Sequence, residues 1–353
     1  MDDGRTTGGG ISRRTFMRAS MAAGAAAWAG GTVATVASLA GAQTGPTATA
    51  VTFLGALCHT PIRMIAAKAT AGQAGLKNFK LEMMADWDPI HEGLMSHKFH
   101  MAYGGIMEPL IKIDKGIPFV ITLGGHKGCI MAAAQPEITS WKELKGKTVG
   151  VNFFGSNPYY VALYHLHQAG LDPKRGDVRI VTIAGPDLVP ALRDRKIDAY
   201  VMWDPSVPLL KDLKIPHNIL LDIGKDAPWN EHICCFMMSE RSFVEKHPGT
   251  IKRLNQAFVT AAKWLHESPA HQREAIAINI KERFTPTALA RADFQYGMLS
   301  TYDYSVAGDR AVGERSLRLF AEMARQMGAI KMTADQMIAK AWRPYQDLPD
   351  TPL

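Results

Sequence analysis

The sequence contains few cysteines and lacks several features that would assign it to a specialised class. Four cysteines in 353 residues are too few for a disulfide scaffold, although an even count permits one or two bridges in an oxidising compartment. No run of lysine and arginine with interleaved aromatic residues occurs, so nucleic-acid binding is not expected. A nucleophile elbow and a phosphate loop are also absent. No low-complexity tract or transmembrane helix is expected after residue 50.

Length and composition indicate a folded protein with more than one core. A chain of 353 residues exceeds the usual single-core size and predicts two lobes. Its hydrophobic content of 47% and charged content of 21% are typical of globular proteins. The net charge is +7, and residues 1–42 contribute part of it through four arginines and two aspartates. A mildly basic cleft for an anionic solute is therefore expected.

The first 42 residues have the pattern of an export signal. Arg13 and Arg14 are followed by Phe16, then by a weakly hydrophobic stretch rich in alanine and glycine that ends at Ala42. This pattern resembles a twin-arginine signal peptide, which implies a periplasmic protein. A flexible basic tail and an uncleaved membrane tether are the alternatives. We exclude this segment from the fold prediction.

The segment from Trp141 to Leu166 best indicates a ligand site. It predicts a buried strand at 148–153, a polar turn at Gly155-Ser156-Asn157, and an amphipathic helix with Pro158 at its first position. Such a junction leaves backbone N–H groups and the positive end of a helix dipole facing a cleft. An anion or a polar solute is the expected occupant.

Strands and helices alternate along the rest of the chain up to about residue 240. Strands are expected near 50–57, 80–85, 99–103, 119–123, 178–183, 197–202 and 232–239. The glycine-rich segment 124–129 interrupts an apolar run and is expected where the chain crosses between lobes. From Ser242 onward the pattern is almost entirely helical. An α/β protein with strand ends turned toward a ligand is therefore predicted.

Three segments, 138–151, 186–192 and 197–205, contain short motifs of a known kind. They resemble motifs of one family, the periplasmic solute-binding proteins of ABC importers for nitrate, sulfonates and taurine. The resemblance covers roughly residues 50 to 270. It implies a two-lobed Venus-flytrap architecture, the type II periplasmic binding protein fold, with a C-terminal helical extension packed on lobe one. The implied domains are 43–129 plus 236–353 for lobe one and 130–235 for lobe two.

The same resemblance implies a binding protein and not an enzyme. The expected function is an extracytoplasmic solute-binding subunit that closes on a small anionic or polar solute by hinge motion. Its expected partners are a membrane permease with its ATPase. No cofactor is expected, and the protein is expected to be a monomer. The alternatives are a receptor for a metal or metal complex built on cysteine and histidine, or an enzyme similar to the pyrimidine synthases of thiamine biosynthesis.

The family's cleft positions map onto strand-end turns of this sequence. The implied ligand-binding residues are Cys58, His59, Trp87, Asp88, Gly104, Gly105, Ile106, His126, Cys129, Ser156, Asn157, Trp203 and Asp204. Simpler interpretations stay open. The two tryptophans would serve equally as core aromatics, and Ser156 with Asn157 as an ordinary helix cap. His91, His97 and His100 are expected on a solvated helix edge.

The sulfur and imidazole content departs from the family pattern. The candidates for a metal site are His59, His126, Cys129, Cys234 and Cys235, with Cys58 beside them. These ligand types suit copper or zinc, although no local spacing matches a known finger. A disulfide from Cys129 to Cys234 or Cys235, and buried free thiols that act as small hydrophobes, are the other two interpretations.

Overall fold

The computed structural model describes residues 47–84, 87–285 and 289–351. The predicted export signal, residues 1–42, lies outside these ranges. The strands are β1 (Thr47–Phe53), β2 (Asn78–Met84), β3 (Met101–Gly105), β4 (Phe119–Lys127), β5 (Ile130–Ala134), β6 (Thr148–Val151), β7 (Arg179–Thr182), β8 (Ala199–Trp203), β9 (Asn218–Asp222) and β10 (Ile233–Glu240).

The helices follow the strands in alternation and then accumulate at the carboxyl end. They are α1 (Thr60–Ala67), α2 (Thr70–Gln73), α3 (Trp87–Met95), α4 (Met107–Asp114), α5 (Asn157–Gln168), α6 (Gly185–Arg193), α7 (Ser206–Asp212), α8 (Arg241–Lys246), α9 (Pro248–Glu267), α10 (Pro269–Lys281), α11 (Ala292–Leu299), α12 (Arg310–Gln326) and α13 (Ala334–Ala341). In the described part of the chain, every helix is too short or too polar to cross a bilayer.

The first sheet has the strand order β2-β1-β3-β10-β4 and, with its helices, forms what we call lobe one. Strands β1, β2 and β3 run parallel, while β10 pairs antiparallel with both β3 and β4. All eight residues of β10 are buried, as expected for a strand covered by helices on both faces of its sheet. The carboxyl ends of the three parallel strands therefore meet at one edge.

The second sheet has the order β7-β6-β8-β5-β9 and forms lobe two. Strands β6, β7 and β8 are parallel, and β5 pairs antiparallel with β8 and β9. The sequence analysis did not predict β9, in which Leu221 is buried, Ile219 is exposed and the other residues are partly buried. This sheet repeats the arrangement of the first, so its parallel strands also end at one edge.

The chain crosses between the sheets at two places. The first crossover joins β4 to β5 through Gly128 and Cys129, and the second leads from β9 to β10. The glycine-rich segment was expected to interrupt the strand, but residues up to Lys127 belong to β4 because they pair with β10. The interruption is confined to Gly128 and Cys129, which both have positive φ angles.

The C-terminal helices pack on lobe one, as predicted. Ser316 of α12 accepts a hydrogen bond from the backbone of Ile233 in β10, and the backbone N–H of Arg343 donates to Ile121 of β4. Helix α9 buries an apolar face that includes Ile251, Leu254 and Phe258. The predicted α/β class with two sheets and a helical carboxyl end is therefore confirmed.

Candidate functional site

A small cleft lies between the strand ends of the two sheets. It encloses about 40 Å³, and its lining comes from lobe one, lobe two and both crossovers. The lining residues are Phe53, Ala56, Cys58, His59, Trp87, Gly105, Glu108, Cys129, Ile130, Phe153, Ser156, Asn157, Trp203, Cys234 and Cys235. A space of this size is far below the roughly 300–1,000 Å³ of clefts that hold drug-sized ligands. The lobes therefore lie close together around it.

Aromatic side chains wall the cleft on both sides. Phe53, at the end of β1, meets the ring of Trp87 edge-on at a centroid distance of 4.8 Å. On the opposite side Phe153 and Trp203 also meet edge-on, at 6.5 Å. Each lobe thus contributes one aromatic pair, and most of the cleft surface is apolar.

The turn after β1 places a thiol and an imidazole at the cleft. Leu57–His59 form one 3-10 turn, and Pro61 lies in the first turn of α1 where it needs no N–H partner. The phenol of Tyr304 donates a 3.0 Å hydrogen bond to the carbonyl of Cys58. This contact from the C-terminal segment fixes the turn, and no local sequence pattern indicated it.

The first crossover holds Cys129 in a conformation that is unusual for a residue with a side chain. Its φ is +86° and that of the preceding Gly128 is +92°. A non-glycine residue in this region costs on the order of 1–3 kcal/mol, and such strain persists only where the surrounding structure enforces it. The strain directs the Cys129 thiol toward β10.

The second crossover presents two adjacent thiols to the same place. Successive residues of a regular strand point to opposite faces of the sheet. Here the pairing of β10 with β4 is irregular on either side of Cys235, so the regular alternation is broken. As a result the sulfur atoms of Cys234 and Cys235 lie 3.5 Å apart, and that of Cys129 lies 3.0 Å from Cys234.

All four cysteines are buried and carry free thiols. The pKa of Cys235 lies well below its ordinary value, chiefly because the Cys129 thiol hydrogen-bonds to its sulfur. Burial instead raises the pKa values of Cys129 and Cys234. The thiol of Cys234 donates to the carbonyl of Gly128 at 2.9 Å. Negative charge in the cluster is therefore most stable on Cys235.

Two imidazoles adjoin the thiols, and each is fixed through its Nδ1 atom. The Nδ1 of His59 is 2.6 Å from the hydroxyl of Thr52, and the Nδ1 of His126 is 2.5 Å from the phenol of Tyr103. The Nε2 atoms face sulfur: His59 is 3.9 Å from Cys235, and His126 is 3.4 Å from Cys234. Both rings thus direct one nitrogen toward the cluster.

In lobe two, the turn before α5 provides an amide that reaches the other lobe. The side-chain oxygen of Asn157 accepts from the backbone N–H of Met107 at 2.8 Å, and its nitrogen donates to the carbonyl of Cys234 at 3.2 Å. A side chain at Gly105 would place its Cβ 3.0 Å from this amide, so glycine there permits the approach. Asn157 therefore links lobe two to lobe one and to the second crossover.

Ser156 lines the cleft and also acts as the cap of α5. Its hydroxyl accepts from the backbone N–H of Tyr159 at 3.2 Å and donates to the carbonyl of Phe153 at 2.9 Å. Because its single proton is already used, the hydroxyl has no hydrogen left to donate to a solute. In this arrangement the hydroxyl offers a solute only an oxygen lone pair, which accepts a hydrogen bond.

Asp204 is buried behind the cleft wall. Burial raises the pKa of its carboxyl to about 7, although the phenol of Tyr302 donates a 2.5 Å hydrogen bond that opposes the rise. Its backbone N–H donates to the carbonyl of Cys129. Asp204 thus lies next to the crossover and the C-terminal segment, outside the cleft lining.

The structure brings together most of the predicted site residues and leaves some apart. Asp88 is exposed and lies 3.5 Å from Lys112, while Gly104, Ile106 and His126 are near the cleft without lining it. The sequence analysis missed Phe53, Ala56, Glu108, Ile130 and Phe153, which line the cleft. The strand-end rule that identified Trp203 would also have identified Phe53. Glu108 lies three residues after the end of β3, and no pattern in the sequence indicates that it lines the cleft.

Comparison with known proteins supports the fold. The chain resembles the crystal structure of the periplasmic aliphatic sulphonate-binding protein SsuA from Escherichia coli, with a TM-score of 0.68 and 18% identity over 88% of this chain and 96% of that one. It also resembles the nitrate-binding protein NrtA from Synechocystis, with a TM-score of 0.65 and 15% identity over 84% and 86%. The predicted type II periplasmic binding protein fold is therefore confirmed.

Sequence comparison identifies the family. The chain is 30% identical over 125 residues to the taurine-binding periplasmic protein of Escherichia coli, covering 35% of this chain and 37% of that protein. A match to the Bacillus subtilis binding protein YtlA covers 46% of that protein at 24% identity, so both matches span less than half of the relative. These relatives and structural neighbours are binding proteins. A family model matches residues 42–280, and the chain therefore belongs to the NMT1-like family.

Proposed function

We propose that this protein is the extracytoplasmic solute-binding subunit of an ABC importer. It captures a small anionic or polar solute between its lobes, as a monomer, and delivers it to a membrane permease with its ATPase. Residues 1–42 serve as a twin-arginine export signal that directs the protein to the periplasm. Residues 43–129 and 236–353 form lobe one, and residues 130–235 form lobe two.

The observation that carries this proposal is the enclosed space lined from both lobes. A hinged binding protein is held shut by contacts that its ligand makes to both sides. The aromatic pairs of the two lobes, Phe53 with Trp87 and Phe153 with Trp203, offer such contacts to one small molecule. The Asn157 amide links the lobes at the cleft itself, and the Asp204–Tyr302 hydrogen bond and the Asp212–Arg291 ion pair join them outside it.

The charges of the lining narrow the range of solutes. Among the described residues that line the cleft, Glu108 is the single carboxylate and none is lysine or arginine. A bare anion would thus meet one negative group and only neutral donors. A zwitterion such as the aminosulfonate taurine carries a positive group beside its anionic group. Its ammonium group has the Glu108 carboxylate as a partner and two aromatic walls to contact. We therefore propose an aminosulfonate or a similar zwitterion as the preferred solute.

Thermal stabilisation tests the proposal. The purified exported protein would be melted with taurine, with ethanesulfonate, which lacks the ammonium group, and with nitrate. A solute at 100 times its Kd stabilises the protein by about 2.7 kcal/mol, and taurine is expected to give the largest shift. Each solute should be recovered unchanged, since a binding protein does not consume it. If none of the three raises the melting temperature, the proposed solute class is wrong.

A matched pair of variants tests the location of the site. Trp203→Ala should abolish the shift produced by taurine because it removes one cleft wall. Trp264→Ala removes a partly buried tryptophan that stacks on His271, away from the cleft, and should leave the shift unchanged. If taurine still raises the melting temperature of Trp203→Ala as much as that of wild type, the solute binds elsewhere.

A further inference from the structure

Four side chains of the thiol and imidazole cluster form a compact group of potential metal ligands. One ligand atom from each of Cys58, His126, Cys129 and Cys235 lies within 4.8 Å of all the others, and all four residues are buried. Bond lengths of about 2.3 Å to sulfur and about 2.0 Å to nitrogen place tetrahedral ligands of one ion less than about 4 Å apart. The group is therefore close to a four-coordinate arrangement, and small side-chain rotations complete it.

The surroundings of His126 match those of a metal-ligating imidazole. Such a residue usually donates its second ring N–H to an oxygen, which fixes the ring and its tautomer. The Nδ1 of His126 meets the phenol oxygen of Tyr103 at 2.5 Å, and its Nε2 faces sulfur. Tyr103 is fully buried, so this contact holds the ring without competition from water.

A buried cation next to the cluster requires negative charge nearby. Arg63 is fully buried, and its Nε and Nη1 atoms have no hydrogen-bond partner among the described residues. Its Nη2 atom donates to the carbonyl oxygens of Ala56 and Phe53, which are neutral. A buried guanidinium without a counter-charge is costly. The thiol of Cys58, five residues before Arg63 in the chain, interacts with this cation when the thiol is ionised.

We propose that Cys58, His126, Cys129 and Cys235 hold a thiophilic metal ion, Zn²⁺ or Cu⁺. Thiolate and imidazole ligands select these ions over oxygen-loving ions such as Mg²⁺ or Ca²⁺. On binding, the three thiols release their protons to solvent, and the thiolate charges are shared between the metal and Arg63. With Zn²⁺, the three thiolates and Arg63 give a net charge of zero in the buried cluster, so Zn²⁺ fits the electrostatics best.

The ligands come from one side of the cleft, which makes the ion a resident group and not the transported solute. Cys58 follows β1, His126 lies in β4 and Cys235 in β10, three strands of the first sheet, and Cys129 lies at the first crossover. The strands and helices of the second sheet contribute no ligand to this set, so opening the cleft would leave the coordination intact. A transported ion would instead need ligands that separate on opening. The inference therefore goes beyond the proposed function and holds whichever solute the cleft takes.

Metal titration of the purified exported protein, reduced and kept free of oxygen, tests the inference. Zn²⁺ would be titrated against a chromophoric chelator, Cu⁺ against bicinchoninate, and Co²⁺ as a spectroscopic probe. One equivalent should bind, and Co²⁺ should produce thiolate-to-metal charge-transfer bands. X-ray absorption of the loaded wild-type protein should show three sulfur neighbours and one nitrogen. If the ion is Zn²⁺, the Zn–S distance should be about 2.3 Å. Fully reduced protein that binds neither Zn²⁺ nor Cu⁺, or oxygen ligands alone, would overturn the proposal.

Variants separate the ligand set from its neighbours. Cys58→Ser and Cys235→Ser should each lower metal affinity by at least about 100-fold, since even the partner of a ligand contributes about 10- to 100-fold. The matched control is Cys234→Ser, because the Cys234 thiol is already bonded to the Gly128 carbonyl. It should keep its affinity within about threefold. Loss of binding in Cys234→Ser, with binding kept in Cys58→Ser, would disprove the assigned ligands.

Two further variants keep the test independent of folding and of the solute site. Tyr103→Phe retains the ring packing but removes the oxygen that positions His126, so a drop in affinity of about 10-fold is expected. Trp203→Ala should leave metal affinity unchanged even if it abolishes the response to taurine. Loss of metal binding with the taurine shift retained shows that only the metal proposal is wrong. Loss of the taurine shift with metal binding retained shows that only the solute proposal is wrong. Circular dichroism checks that each variant is folded.

Discussion

The two lobes place an aromatic pair at the same position of the cleft and differ in what lies beside it. In lobe one and at the crossovers, thiols and imidazoles surround the floor of the cleft. In lobe two, the cleft lining instead contains the Asn157 amide, which hydrogen-bonds to the partner lobe. Because the two sheets have the same topology, each presents the carboxyl ends of its parallel strands to a ligand. The residues at those strand ends decide the chemistry of the site.

The difference extends to ionisation. Cys235 in β10 has a lowered pKa, chiefly because the Cys129 thiol hydrogen-bonds to its sulfur. Asp204 in lobe two has a pKa of about 7 because it is buried. The structure therefore favours a negative charge on Cys235 and disfavours one on Asp204. The following predictions test this contrast between the lobes.

The largest expected effect concerns Asp204. Its carboxyl keeps a proton in the folded state up to about pH 7, whereas the unfolded chain loses it near pH 3.8. The folded state binds more protons between these values, so its stability falls as pH rises from about 4 to 7, by up to roughly 4 kcal/mol. Asp204→Asn should therefore match wild type at pH 4 and exceed it by up to roughly 4 kcal/mol at pH 8.

Urea unfolding across this pH range, with chelator present, measures the difference. Asp187→Asn provides a control because Asp187 is exposed in the first turn of α6 and does not contribute to the raised pKa of Asp204. That variant should not become more stable at alkaline pH. A constant difference between Asp204→Asn and wild type from pH 4 to 8 would show that Asp204 is ionised throughout.

The second effect concerns the link between the lobes. Asn157→Ala leaves the Met107 N–H and the Cys234 carbonyl without their partner when the lobes are closed. The loss should cost about 2 kcal/mol, because each unsatisfied group costs about 1–3 kcal/mol and water reaches them when the lobes open. The variant should therefore favour the open state and show a larger radius of gyration by small-angle scattering.

Asn218→Ala is the matched control for the link. Asn218 also makes two side-chain hydrogen bonds, to the carbonyls of Pro136 and Ile138, but both partners belong to lobe two. Its loss should lower the melting temperature without changing the radius of gyration. Equal scattering curves for the two variants would mean that Asn157 does not hold the lobes together.

The smallest effect concerns the protonation of one histidine in each lobe. Burial lowers the pKa of His165 in lobe two and that of His91 in lobe one to about 4. Unfolded imidazoles bind protons near pH 6.5, so the folded state loses stability as pH falls from about 6.5 to 4. For His165, which is partly exposed, the loss should be roughly 1 kcal/mol.

Stability measurements at pH 7 and pH 4.5 test this effect. His165→Gln keeps an acceptor for the Trp229 N–H, which now donates to the ring at 2.8 Å, and should lose less stability in acid than wild type. His91→Gln should do the same in lobe one, where His91 stacks on Trp87. If neither variant changes the acid sensitivity, these imidazoles are protonated in the folded state.

Several parts of the structure were predictable because they depend on local patterns. Period-two and helical apolar patterns identified most strands and helices, and the three segments 138–151, 186–192 and 197–205 indicated the family. Strand β9 was missed because its burial pattern is weak. His91 was expected at a solvated edge, which is wrong: it is 5% exposed and stacked on Trp87. The helical spacing did not reveal that α3 turns this residue inward.

The sequence alone determined the two-lobed α/β fold, the family, and the presence of thiols and imidazoles on crossover segments, because local periodicity and short motifs carry this information. Only the tertiary structure decided which of these groups meet. Cys58, His126, Cys129 and Cys235 are separated by up to 177 positions in the chain, and their approach depends on strand pairing, on the irregular pairing around Cys235 and on the positive φ of Cys129. Long-range packing of this kind leaves no periodic trace in a single sequence.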